Sequence, residues 1–349
     1  MESAIDTHLQ CPRTLSRRVP DEYRPPFPIW VARVGRDVTA VVMGYFGVQY
    51  RGEERRAEAW ATLRAITDGF ALDDGPGGWD LTHHVDAQGY DTLIAAAYWR
   101  DTATYDRWLA RPEVAGWWDA PERLSAGVGV FREILAPGVD RFETLYPFTE
   151  GLPGVGGVLD DVSDQVTEHA YWGAMRDRIP RSQTDRMSPD GELRAEGDPS
   201  GRVVVRGHEN VALIRSGQDW TDTPPEEREL YLGAIEPALA DAMDFLRDRG
   251  QRIGCYSNRY VRNVDADGVP LDTTYAISYW RSLDLLERWA ESHPSHLNVF
   301  VAFVSRARHV PSLRLYHEVA VIDAGSQYYE YVNCHAATGL LRDSVEQGQ

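Results

Sequence analysis

The sequence predicts a mixed α+β protein built from two related halves. Strand-like apolar runs alternate with helix-forming segments, these elements follow the same order in both halves, and short motifs recur at matching places. The chain has 349 residues, of which 43% are hydrophobic and 26% charged, and these values are ordinary for a folded protein. A chain of this length can bury a large core, so its stability needs no disulfide or structural metal.

Short motifs of the first half recur in the second half. An apolar run precedes a Glu-Glu-Arg motif in each half, Thr39–Tyr50 in the first and Val203–Trp220 in the second. Further along, a Tyr-Trp-Arg motif is followed by a tryptophan in both halves. The matching pairs are Glu53–Arg55 with Glu226–Arg228, Tyr98–Asp101 with Tyr279–Ser282, and Trp108 with Trp289. Matches in the same order at similar offsets indicate a duplication.

The elements of the first half are predicted from residue type. Ala40–Val48 is rich in β-branched and aromatic residues, which favour a strand. Glu53–Ile66 consists largely of good helix formers, and Leu93–Trp99 is a second strand-sized apolar run. Asp101 can cap the next helix, because its carboxylate accepts hydrogen bonds from unpaired amides at a helix start.

The second half repeats this order of elements. Its predicted strands are Val203–Ile214, Tyr275–Trp280, Leu297–Val304 and Leu313–Ile322, and its predicted helices are Glu226–Arg249 and Leu283–Glu291. Strand, helix, strand, strand, helix, strand is the split β-α-β pattern of ferredoxin-like folds. We therefore expect duplicated ferredoxin-like units whose sheets form a core of the dimeric α+β barrel type, with the helices outside.

Four segments follow from this division of the chain. They are an extended N-terminal arm (1–38), a first repeat (39–150), an inter-repeat helix and loop (151–202), and a second repeat (203–349). Within the inter-repeat segment, Asp164–Arg178 has helical composition and Ser188–Gly201 is a polar loop with glycine and proline. A segment inserted between two repeats is a natural lid or wall for a pocket.

The charge balance excludes several classes of partner. The chain carries 54 acidic and 36 basic residues, a formal charge of −18, which disfavours binding to nucleic acid or to anionic membranes. No apolar run is long enough to span a membrane, and the N-terminus has no secretion signal. Three widely spaced cysteines indicate reduced thiols. These features predict a cytoplasmic protein.

Two histidines lie where the last predicted helix of the second repeat ends. His293 and His296 flank Pro294, and a proline at this place breaks the regular helical face that a pair of zinc ligands would need. Histidines at a helix end interacting with the helix dipole are the commoner explanation. The alternative is a single axial haem ligand, since haem needs one strong donor and an apolar pocket.

His317 lies in a strand of alternating residues. The alternation places it on one face with Leu315, Val319 and Val321. A core histidine bonded to a backbone carbonyl is the more frequent explanation of such a pattern. A general acid or base in a pocket is the alternative, because the proton affinity of histidine is near neutral and is tuned by burial.

Three further residues are ambiguous when taken alone. Ser216 ends a strand-like run and could simply begin a turn. Arg178 lies on a partly apolar helical face, where most arginines hold their charged group in water. Glu143 has no distinctive sequence context.

Long blocks of the sequence resemble the aldoxime dehydratases, haem enzymes that convert aldoximes to nitriles with loss of water. The blocks are His8–Leu15, Val205–Asn210, Leu213–Trp220, Glu291–Leu297 and Leu313–Val319. The resemblance extends from the first residues to about Arg342, and several long blocks make it specific.

The resemblance implies a role for each candidate residue. His296 matches the proximal ligand of haem b, and His317 matches the distal histidine that acts as general acid and base. Ser216 matches the serine that hydrogen-bonds the oxime oxygen, Arg178 a distal arginine needed for activity, and Glu143 an acidic residue of the distal hydrogen-bond network. The resemblance further implies ferrous iron in the active form, a small-molecule aldoxime substrate and a homodimer.

Two other functions fit the same sequence features. One is a different haem activity on a related duplicated barrel, such as a peroxidase. The other is a haem-free binding protein built from the same duplicated unit, which would be colourless.

Overall fold

One large sheet organises the molecule. The computed structural model describes residues 1–25, 27–170, 174–198 and 201–346. The strands in these ranges are β1 (Ala32–Arg33), β2 (Val42–Tyr50), β3 (Gly78–Val85), β4 (Asp91–Trp99), β5 (Gly129–Leu135), β6 (Phe142–Leu145), β7 (Asp161–Val162), β8 (Arg194–Gly197), β9 (Arg202–Arg206), β10 (Val211–Asp219), β11 (Cys255–Val264), β12 (Pro270–Trp280), β13 (Arg314–Ile322), β14 (Gln327–Val332) and β15 (Val345–Glu346). Thirteen of them form one sheet, and β1 pairs with β7 separately.

The sheet contains two sets of four strands in the same arrangement. In the first set the order is β5-β2-β4-β3, and in the second it is β13-β10-β12-β11. Each set therefore places its first strand between its fourth and its third. β3 pairs with β11 and joins the two sets, and all pairings within and between them are antiparallel. The predicted α+β class is confirmed.

Of the α-helices in the described ranges, all but α4 lie in the chain between strands of one set, and α4 lies between the two sets. They are α1 (Arg56–Asp68), α2 (Thr102–Leu109), α3 (Pro112–Asp119), α4 (Ala174–Arg178), α5 (Pro225–Leu230), α6 (Glu236–Arg249), α7 (Leu283–Ser292) and α8 (Pro294–Val304). One apolar cluster joins α1–α3 to the first set of strands, and another joins α6 and α7 to the second. A third cluster contains residues of both sets, including Tyr45, Phe131, Leu213 and Ile277, so the two sets share one core.

The repeated motifs occupy equivalent places in the two sets. Tyr98–Asp101 ends β4 and begins α2, where the Thr104 amide donates to Asp101 Oδ1 at 2.7 Å. Tyr279–Ser282 ends β12 and begins α7, where the Leu285 amide donates to Ser282 Oγ at 3.3 Å. The predicted cap at Asp101 is confirmed.

The prediction of a strand at Leu297–Val304 is wrong, because this stretch belongs to the helix α8. A short apolar run does not distinguish a strand from a buried helix by its pattern alone. Here Pro294 occupies the first turn, where its missing N–H is harmless, and His293 caps the helix by accepting from the Ser295 amide at 3.2 Å. The proline begins a helix at this place.

Three other predicted elements need correction. The single strand Val203–Ile214 is two strands, β9 and β10, separated by a turn in which Asn210 has a left-handed φ of 63°. Of Asp164–Arg178, the described part is helical only at α4, and residues 171–173 lie outside the described ranges. The polar loop Ser188–Gly201 contains the strand β8, and its residues 199–200 are likewise not described.

The predicted helix Glu226–Arg249 is interrupted. A π-helical turn at Tyr231–Ile235 separates α5 from α6. Pro237 lies in the first turn of α6, and its lack of an N–H removes one regular helical hydrogen bond. Among the helices that the structure describes, none has the length and apolar character needed to cross a membrane.

Candidate active site

Three adjacent strands bring candidate residues onto one face of the sheet. Ser216 on β10 is directly opposite His317 on β13. Glu143 on β6 is opposite Val319, which lies two residues beyond His317 and therefore on the same face. Val319 packs in the cluster that joins the sheet to α6 and α7. Ser216, His317 and Glu143 thus face the helices, as the alternation around His317 predicts.

The imidazole of His317 contacts two side chains of opposite charge. Its Nε2 lies 2.9 Å from Arg178 Nη2 and 3.0 Å from Glu143 Oε1. A neutral imidazole can accept at Nε2 from Arg178, whereas a protonated one can donate from Nε2 to Glu143. Each protonation state therefore has its own partner. The His317 side chain is 21% exposed, so a small molecule can reach it.

Arg178 is fully buried, and all three nitrogens of its guanidinium group have hydrogen-bond partners. Its Nε donates to Glu143 Oε2 at 2.6 Å, its Nη1 to the Glu168 carbonyl at 2.8 Å, and its Nη2 faces His317. The alternative of an arginine with its head in water is therefore wrong. The inter-repeat segment supplies this residue through α4, which packs against the same face of the sheet.

Glu143 stays ionised because of its two basic neighbours. Burial alone would raise the pKa of this carboxyl, but the charges of Arg178 and His317 outweigh burial and lower the pKa from its ordinary value of 4.5. The ionised carboxylate is therefore a hydrogen-bond acceptor beside His317 Nε2. The structure brings together Glu143, Arg178, Ser216 and His317, which are far apart in the sequence.

His296 is held in one orientation at the start of α8. Its Nδ1 donates to the Ala290 carbonyl at 2.8 Å, and its ring lies against the indole of Trp289 with a centroid separation of 4.5 Å. Burial lowers the pKa of His296 to about 4, so the ring is neutral at pH 7. With Nδ1 as the donor, the lone pair lies on Nε2, the atom suited to bind a metal.

The surroundings of His296 fit a haem. The second half of α8 is almost wholly apolar, yet none of its residues is fully buried by the protein, and Val301 is 64% exposed. A neutral histidine beside such a helix combines one strong iron donor with an apolar surface, as a haem pocket requires. Trp289, which contacts His296, and Val319, near His317, belong to one apolar cluster.

His293 has a structural role. Its Nδ1 accepts the capping hydrogen bond of α8, and its ring lies 4.4 Å from that of Phe245 between centroids. This use of Nδ1 agrees with the sequence argument against a zinc pair at these histidines.

Sequence reasoning missed several residues around the site. The Glu168 carbonyl and the buried carboxylates of Asp177 and Glu287 hold the segment that carries Arg178. The sequence around Asp177 and Glu287 does not indicate these roles, because their partners Arg18 and Arg176 lie more than a hundred residues away in the chain. Gly217, next to Ser216, did carry a signal in the sequence. The Tyr316 ring lies where the side chain of residue 217 would begin, so only glycine fits there.

Known proteins resemble this chain along nearly its whole length. It matches the sequence profile of the haem-containing dehydratases over residues 44–340. It is 60% identical over 348 residues to the aliphatic aldoxime dehydratase of Pseudomonas chlororaphis, with 99% of each chain covered. It is 34% identical over 335 residues to the phenylacetaldoxime dehydratase of Bacillus sp. (strain OxB-1), which cover 93% of this chain and 94% of the relative.

Solved structures agree with the sequence matches. A crystal structure of aldoxime dehydratase has a TM-score of 0.97 to this chain at 59% identity and covers 100% of both chains. A crystal structure of an aldoxime dehydratase in complex with butyraldoxime also has a TM-score of 0.97, at 58% identity, covering 99% of this chain and 97% of the other. The profile match and these identities show that the chain belongs to the haem-containing dehydratase family.

Proposed function

We propose that this protein is an aldoxime dehydratase, which removes water from an aldoxime and releases the nitrile. The observation that carries the proposal is the placement of His317 Nε2 within 3.0 Å of both Arg178 and Glu143, directly across the strand pair from Ser216. This arrangement suits a group that must give up a proton and later take one back.

Loss of hydroxide from an oxime is slow because hydroxide is a poor leaving group. In our proposal protonated His317 donates to the oxime oxygen, which then leaves as water, and neutral His317 takes the proton from the aldehydic carbon. Glu143 accepts from the protonated ring and Arg178 donates to the neutral ring, so each protonation state of His317 has a hydrogen-bond partner. A positioned acid and base of this kind contributes about 10²–10⁴-fold to a rate.

Ser216 is proposed to orient the substrate. Residues directly opposite on antiparallel strands have Cβ atoms about 4.5–5.5 Å apart. A hydroxyl bonded to Ser216 Oγ would therefore lie within reach of the His317 ring. The apolar residues beside the strand pair limit access of competing water.

His296 and the apolar side chains of α8 are the residues that we propose hold haem b. His296 would bind the iron through Nε2, because its Nδ1 is committed to the Ala290 carbonyl. When bound there, ferrous haem would supply an electron-rich iron, whose chemistry would be to weaken the N–O bond of the oxime.

We also propose that the fold is a duplicated ferredoxin-like unit with the segment bounds 1–38, 39–150, 151–202 and 203–349. The strand order within the two sets is the same, and Gly47 faces Phe131 as Gly217 faces Tyr316. By this register Phe46 stands where the second set has Ser216. Phe46 packs among aromatic rings, so the first copy fills with side chains the region that the second copy uses for its site.

A cytoplasmic location and a homodimeric assembly stay predictions from the sequence and its resemblance. Size-exclusion chromatography with light scattering measures the oligomeric state.

The test is anaerobic turnover of the haem-loaded protein reduced with dithionite. We expect nitrile from butyraldoxime or phenylacetaldoxime, and His317→Ala should keep the haem spectrum while kcat falls by about 10²–10⁴-fold. His309→Ala, which changes an exposed histidine, is the matched control and should behave as wild type. Peroxide turnover by the ferric protein without nitrile formation would favour a peroxidase, and a protein that binds no haem would overturn the proposal.

A further inference from the structure

The N-terminus of the chain is bound to the segment that carries Arg178. We name residues 1–19 the N-terminal strap and residues 174–183 the distal segment. The Gln183 side chain accepts from the Cys11 amide and donates to the Leu9 carbonyl, and the Gln183 carbonyl accepts from the Thr14 amide at 2.9 Å. These bonds place the strap along the distal segment.

Asp177, next to Arg178, is the second attachment point. Its side chain is buried, and its carboxylate accepts from the backbone amides of Arg18 and Val19 at 2.7–3.1 Å. The backbone amides are fixed donors, so a buried carboxylate whose oxygens accept from them is held in one orientation. The strap therefore holds the backbone of the distal segment beside Arg178.

Glu287 on α7 connects this assembly to the other side of the site. Its side chain is only 2% exposed. It accepts from Arg176 Nε at 3.0–3.1 Å and Nη2 at 2.8 Å, and it pairs with Arg18 Nη1 at 3.2 Å. One buried carboxylate thus receives a side chain from the distal segment and another from the strap.

The same helix orients His296. Ala290, one turn beyond Glu287 in α7, provides the carbonyl that accepts from His296 Nδ1. Arg176 is two residues before Arg178 in α4. A single helix therefore contacts the segment of the proposed distal arginine at Glu287 and the proposed iron ligand at Ala290.

We propose that Glu287 is a positioning residue, which fixes the distal segment and its Arg178 against the helix that orients His296. Its effect on turnover rests on the proposed function, whereas its effect on the distal segment does not. A displacement of about 1 Å in an active site can lower a rate by about 10²-fold, so a fixed separation between the two sides has a direct effect on kcat.

The test compares Glu287→Gln with Glu291→Gln. Both glutamates lie on α7 and pair with Arg18, but only Glu287 also holds Arg176, and Glu291 is more exposed. For Glu287→Gln we expect kcat to fall about tenfold or more with a smaller change in KM, and hydrogen–deuterium exchange of the haem-free protein to rise in residues 174–183. Glu291→Gln should match wild type in both measurements.

Arg176→Gln completes the test. It should also raise exchange in residues 174–183, at least as much as Glu287→Gln does, because Arg176 also donates to Asp284 and to the Arg186 carbonyl. The double variant should lose less than the sum of the two single variants, because both substitutions break the contact between Arg176 and Glu287. If Glu287→Gln does not fold, the kcat of Arg176→Gln and its exchange in residues 174–183 test the proposal.

Some outcomes would overturn the proposal. They are an unchanged kcat with unchanged exchange, additive effects of the two substitutions, or faster exchange throughout the protein with no excess in residues 174–183. If wild type makes no nitrile, the proposed function fails, and the exchange data still test the role of Glu287.

Discussion

At the scale of single residues, the site is a small group of buried charges that depend on one another. Glu143 and Arg178 are each almost completely buried, and they are in contact at 2.6 Å. If one of them is removed, water cannot reach the other to take its place. Removing one member of a buried ion pair commonly costs about 3–5 kcal/mol, because the remaining charge has no partner.

Arg178→Met should destabilise the haem-free protein by about 3–5 kcal/mol at pH 7. The lowered pKa of Glu143 in wild type stabilises the folded state above about pH 4.5, and this contribution is lost on acidification. Without Arg178, burial should raise the pKa of Glu143, so the variant gains relative stability as the carboxyl takes up a proton. The deficit should therefore shrink between pH 7 and pH 4.5.

Urea unfolding at the two pH values measures this deficit. Arg181→Met is the matched control, since Arg181 pairs with carboxylates while 42% exposed and should change stability by less than about 1 kcal/mol. A deficit for Arg178→Met that does not vary with pH would show that Glu143 is not the group left unpaired.

His296→Ala should abolish haem retention, because the proposed axial nitrogen is removed. The Soret absorbance of the purified protein is the measurement, and far-UV circular dichroism checks that the fold persists. Full Soret absorbance in this variant would remove His296 as the ligand.

At the scale of elements, the two repeated caps begin helices with different duties. Asp101 begins α2, which packs in the aromatic cluster of the first set. Ser282 begins α7, which provides the Ala290 carbonyl for His296. The same kind of helix cap therefore begins a helix that packs in the core in one half and a helix that orients His296 in the other.

Asp101→Ala and Ser282→Ala should each lower the free energy of unfolding by about 1 kcal/mol, because each removes one capping hydrogen bond. Only Ser282→Ala should also speed the loss of haem to apomyoglobin, since only α7 orients His296. Equal rates of haem loss in the two variants would contradict the assignment of α7.

At the scale of the whole molecule, the two sets of strands share one core. Arg259 on β11 donates to both carboxylate oxygens of Glu133 on β5 at 2.7 Å, and Tyr331 donates to the same carboxylate. This buried pair connects the second set with the first.

Glu133→Gln should lower the temperature of one calorimetric transition without splitting it, because residues of both sets pack in one shared apolar cluster. Loss of the buried partner of Arg259 costs about 3–5 kcal/mol. Glu53→Gln, which changes an exposed pair with Arg56, should leave the transition nearly unchanged. Two separate transitions in either protein would show that the halves unfold independently.

Local sequence patterns predicted the α+β class, the matching motifs of the two halves, the cap at Asp101 and the faces of the strand around His317. These follow from local preferences and from the two-residue period of a strand, which operate over a few neighbouring residues. The resemblance added the roles of the five candidate residues, four of which the structure brings together.

Long-range contacts were needed to establish that Leu297–Val304 is helical and that Glu143, Arg178 and His317 meet. An apolar run fits a strand or a helix equally well by its pattern, and the packing of α8 against α6 and α7 favours the helix. The meeting of distant charges depends on which strands pair and on how the inter-repeat segment crosses them. These are long-range contacts, and no local pattern in the sequence encodes them.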